Sequence, residues 1–72
     1  MREVEPHMDE YWIARIQYWP EEEPEVEVIY IGYVWQDGAI DFIPCTRGGR
    51  LVCSTQCEEF EILERIALER YR

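Results

Sequence analysis

The chain has 72 residues, with sixteen acids against seven arginines, no lysine and a formal charge of −9. That length excludes more than one domain and any large core. A field this negative disfavours direct binding to nucleic acid or to an acidic membrane, and attracts basic protein surfaces.

The charge is unevenly placed. The first 27 residues hold nine acids and two arginines, hence −7; residues 28–57 are neutral and the remainder adds −2. An apolar fraction of 47% argues against disorder. No apolar run reaches the roughly 18 residues that span a bilayer. The N-terminus lacks the apolar core of a signal peptide, so a cytoplasmic setting is expected. Three cysteines, Cys45, Cys53 and Cys57, cannot all pair within one chain and are expected to be reduced thiols.

In chain order, residues 1–8 read as an acidic tail. Residues 9–19 read as a first strand, carrying Tyr11, Trp12, Ile13, Ile16, Tyr18 and Trp19. Two prolines around Glu21, Glu22 and Glu23 break it. Residues 25–36 read as a second strand, and Asp37-Gly38 as the hairpin turn into a third, residues 39–46. A two-residue loop pairs Gln36 with Ala39, so Trp35 faces Ile40, Tyr33 faces Phe42 and Ile31 faces Pro44. These residues, with Ile29, form the expected core face. Tyr30, Gly32, Val34, Asp41 and Ile43 fall on the opposite face. The reversed pattern at Val26 and Val28 suggests a bulge near Val28 or an end beyond the core.

Arg47-Gly48-Gly49-Arg50 is a second turn, and residues 51–53 a short fourth strand. Thr55-Gln56-Cys57-Glu58 fits a capping box, with Ser54 as a rival cap. Phe60, Leu63, Ala67 and Tyr71 then recur at helical spacing, which predicts a helix over residues 55–71, about 24 Å long. The expected fold is a single α+β domain over residues 1–72. It comprises an antiparallel meander of three to four strands with the C-terminal helix across one face.

No catalytic or cofactor signature is present. Cys45, Cys53, Cys57 and His7 could supply four zinc ligands, but their spacing lacks the knuckle of structural zinc sites. A small zinc protein is therefore the third reading, and no residue is assigned to metal. Cys57 in a first helical turn would have a lowered pKa. His7 sits in a tail, where catalytic geometry is hard to hold. Arg47 and Arg50 on a glycine turn can clamp an anion or pair with acids at an interface rim.

Two features point to protein binding. One helix covers only one side of a sheet, leaving Tyr30, Val34 and Ile43 as an association surface. Glu25 and Glu27 point the same way about 6.6 Å apart; with Glu21, Glu22 and Glu23 they make an acidic stripe that imitates a run of phosphates. In size, acidity and aromatic content the chain resembles phage and mobile-element inhibitors of the anti-CRISPR and anti-restriction kinds, a likeness that covers no motif. The leading expectation is a non-enzymatic inhibitor that occupies a basic, nucleic-acid-binding surface of a larger protein or nucleoprotein complex. It would use Glu21, Glu22, Glu23, Glu25, Glu27, Tyr30, Val34, Arg47 and Arg50, and no cofactor. The runner-up is a structural or regulatory subunit that forms a homodimer through Tyr30 and Val34.

Overall fold

Runs of β-branched and aromatic residues interrupted by Pro, Gly and Asp favour strands joined by tight turns. The computed structural model describes residues 5–46 and 48–66. Among these, five strands form one antiparallel sheet: β1 (Glu10–Gln17), β2 (Glu25–Val34), β3 (Ile40–Pro44), β4 (Val52–Cys53) and β5 (Glu59–Ile66). Their spatial order is β4-β3-β2-β1-β5, so the last strand returns beside the first.

The core lies on one face of this sheet. Trp12, Ala14 and Ile16 from β1, Ile29 and Ile31 from β2, and Ile40 and Phe42 from β3 form the buried cluster. Full burial of Ile16, Ile29, Ile31 and Phe42 contributes about 1.5–3 kcal/mol each. A single flat sheet has no second layer to bury such a face. The sheet supplies one by rolling up. Phe42 on β3 and Phe60 on β5 have ring centroids 5.0 Å apart, although β2 and β1 lie between their strands. In a flat sheet three strand spacings would separate them by roughly 14 Å.

This roll replaces the expected helix. Among the described residues there is no α-helix, and the fold is all-β rather than α+β. The segment read as a helix start is a single 3-10 turn, Ser54–Gln56, followed by β5. Gln56 Oε1 accepts from the Cys53 amide at 2.9 Å, and Ser54 Oγ accepts from the Ile40 amide at 2.9 Å. Ser54, expected as a rival helix cap, thus satisfies the end of a strand, and Gln56 from within the expected capping box satisfies a turn. Phe60 and Ile62 face Ile16 and Ala14 across the β5–β1 ladder. Two-residue alternation therefore wins over the three- and four-residue spacing, because β5 both pairs the β1 edge and closes the core. Residues 67–71 of the expected helix lie outside the described residues.

The β2–β3 register also differs from expectation. The loop has three residues: the Gly38 amide donates to the Trp35 carbonyl at 3.0 Å and the Trp35 amide to the Ala39 carbonyl at 2.7 Å. Gly38 takes φ +95°, the left-handed conformation that closes a type I turn with a bulge. Val34 therefore pairs with Ile40. Farther along, Tyr33 faces Asp41 and Ile31 faces Phe42, leaving Gly32 as an extra, bulged residue. The bulge lies here rather than near Val28, where the β1–β2 register is continuous. It inverts the alternation: Val34 packs against the core, and Tyr33 and Trp35 turn outward at 45% and 48% exposure.

Candidate partner-binding end of the sheet

The antiparallel ladders bring three chain segments to one end of the sheet. Ile16 faces Glu25 on β2, and Gln17 faces Glu59 on β5. The Glu58 amide donates to the Gln17 carbonyl at 2.7 Å. Gln17 also shapes the acidic loop, its Nε2 donating to the carbonyls of Pro20 at 3.2 Å and Glu22 at 2.6 Å. The Glu22 amide closes a turn onto the Trp19 carbonyl at 3.0 Å.

Glu21, Glu22, Glu23, Glu25, Glu58 and Glu59 are all exposed at this end. A helix over residues 55–71 would carry Glu58 and Glu59 away from this end; β5 brings them to it. The alternation of Glu59 and Glu61 with Phe60 and Ile62 was the signal that could have placed them. Glu27 leaves the stripe. Strand alternation turns it inward beside Ala14, where it is 5% exposed and accepts from Thr46 Oγ1 at 3.3 Å.

An open groove of about 420 Å³ lies at the same end, within the size range of side-chain and small-ligand sites. Tyr18 and Trp19, which follow β1, line it together with Pro44 at the end of β3, Arg50, Leu51 and Val52, and Gln56. Trp19 is 60% and Leu51 65% exposed. Arg50 thus lines the same groove as Trp19, whereas Arg47 lies outside the described residues.

Tyr30 and Val34 do not share a surface. Val34 is turned inward by the Gly32 bulge. Tyr30 lies on the outer face, in a row running Ile66, Tyr11, Tyr30, Ile43 across four strands. The Tyr11 and Tyr30 rings are 5.0 Å apart. The Tyr30 hydroxyl donates to Asp9 Oδ1 at 2.5 Å. That bond, with a burial contribution and the neighbouring charge of Asp9, raises the pKa of the phenol.

At the opposite end Asp9 and Glu10 are engaged internally. Glu10 Oε1 accepts from the Trp12 indole at 3.0 Å and the His7 amide at 3.2 Å, and Oε2 accepts from Arg65 at 3.1 Å. Burial pushes the Glu10 carboxyl up, but these hydrogen bonds and the charges of Arg65 and His7 outweigh it and bring the pKa below its ordinary value. Between the two ends, Arg15 pairs with Glu61 across β1 and β5.

Cys57 follows the 3-10 turn in an extended conformation, so no helix dipole acts on it. Burial, then the proximity of Cys53 and Glu27, pushes its thiol pKa up rather than down. Among the described residues no three His, Cys, Asp or Glu side chains are grouped to hold a metal ion, and no helix is long and apolar enough to cross a membrane. Comparison with family models, with curated proteins and with solved structures finds no match to this chain.

Proposed function

We propose that the protein is a non-catalytic binding module that places its acidic end on a basic, nucleic-acid-binding surface of a larger protein or nucleoprotein complex and blocks it. The observation that carries this reading is the meeting of Glu21, Glu22, Glu23 and Glu25 with Glu58 and Glu59 at one sheet end. Six like charges held on one surface steer a basic partner in and repel nucleic acid, and their field weakens with salt. The glutamine variant at these six positions tests it. The wild type should capture basic proteins that added duplex DNA or high salt releases, and the variant should lose them. Capture that survives in the variant with the same salt dependence sinks the proposal.

A second reading, homodimerisation, is favoured by the outer-face row of Ile66, Tyr11, Tyr30 and Ile43. Sedimentation at rising concentration should then show a dimer that Tyr11→Arg disperses.

A further inference from the structure

The acidic end carries a groove as well as a field. Trp19 and Leu51, both in its lining, leave large apolar surfaces in solvent. Immediately after Trp19 the chain turns through Glu21, Glu22 and Glu23, held there by Gln17. Aromatic and aliphatic walls next to carboxylates complement a chain that brings guanidinium groups and apolar side chains together. An arginine stacks its plane on an indole face and forks its donors onto a carboxylate. Arg50, next to Leu51 in the chain, sets a direction: it repels a guanidinium from that part of the groove, so the partner's arginines go toward Trp19.

We infer that the groove between Trp19 and Leu51 takes an extended, arginine-rich segment of the partner, seating an apolar side chain against Leu51, Val52 and Pro44 while its arginines meet Trp19 and the Glu21, Glu22 and Glu23 loop. This rests on the binding-module reading and adds the form of the ligand: a linear segment read by its apolar residues, beyond a diffuse basic surface. Duplex nucleic acid brings the wrong charge and no apolar side chain. A second copy of this end would bring like charges together.

Two fluorescein-labelled probes test it on the full chain by anisotropy: a short arginine-leucine peptide, and the same peptide with every leucine replaced by glycine. The leucine peptide should bind more tightly. Trp19→Ala and Leu51→Ser should each weaken it about five- to tenfold, the scale of losing one anchoring side chain, and Leu51→Ser should leave the glycine peptide unchanged. Both residues are more than half exposed, so the fold survives either change. Glutamine at Glu21, Glu22, Glu23, Glu58 and Glu59 should weaken both peptides. If the groove variants bind the leucine peptide as the wild type does while the glutamine variant loses both, the groove assignment is overturned and the acidic surface stands. If the glutamine variant also binds both unchanged, the parent reading falls with it. A free chain that sediments as a dimer dispersed by Leu51→Ser would put a second copy in the groove and overturn the peptide assignment.

Discussion

The two ends of the rolled sheet use the same residue type in opposite ways. Near the start of β1, Glu10 is bound by Trp12, His7 and Arg65, and Asp9 by Tyr30. Near the end of β1, Glu21, Glu22, Glu23, Glu58 and Glu59 make no ion pair with another described residue. A carboxylate that its own chain satisfies adds to stability and has little left to offer a partner. A carboxylate held among like charges adds repulsion, which a basic surface or added salt relieves. Net charge counts both alike; the field available for docking comes mainly from the second group.

The comparison breaks most completely if the roll opens. Phe42→Ala should cost about 3–5 kcal/mol in urea unfolding, a large share of what a domain this small has. Phe60, half-buried on β5, should cost less on the same change. Losing its contact frees β5, and with it Glu58 and Glu59, from the acidic end. A Phe60→Ala variant that still folds should therefore bind an arginine peptide more weakly.

Next in size is Glu10→Ala, expected to cost about 1–2 kcal/mol because three donors lose one ionised acceptor. Glutamine at Glu21, Glu22, Glu23, Glu58 and Glu59 should instead leave stability within about 0.5 kcal/mol per site, rising slightly at low salt as repulsion is relieved. Equal losses from the two variants would erase the distinction between the ends.

The pH dependence separates the ends further. The Glu10 pKa is lower folded than unfolded, so its contribution is present above the ordinary carboxylate range and is lost as pH falls through that range. Glu10→Gln should flatten the acid limb of stability against pH, read from urea midpoints at successive pH values. The smallest effect concerns salt. Raising ionic strength from low to physiological should stabilise the wild type by a few tenths of a kcal/mol more than the five-glutamine variant, because salt screens a repulsion only the wild type has.

Much of the first three strands is legible in the sequence, since alternating β-branched and aromatic residues between Pro and Asp-Gly breaks leave little choice. Their register was not. Asp37-Gly38 marks a turn in any loop length, but only pairing reveals that Gly38 closes a three-residue loop and that Gly32 is extra. Each slip of one residue inverts every later side chain, which is how Val34 came inside and Tyr33 and Trp35 went out. The residues Glu59–Ile66 fit both periods. Phe60 and Leu63 suit a helix, while Phe60 and Ile62 suit a strand with Leu63 bulged between Ile62 and Glu64. The candidate site was partly legible for a similar reason. Glu21, Glu22, Glu23 and Glu25 are contiguous enough to mark a patch, whereas Glu27 looked equivalent and is buried.

Composition and local pattern by themselves determined a small, acidic, aromatic-rich chain with strands at its beginning and a charged loop between the first two. Those properties follow from residue type and spacing over a few positions. Tertiary structure decided the rest: whether the last segment coils or pairs, which glutamates face solvent, and that Trp19 and Leu51 line one groove at the same end. The physical reason is the unpaired edge and uncovered face left by four strands. Only a fifth strand at β1 meets both needs, and placing it there carries Glu58 and Glu59 to the end where the other glutamates already stand.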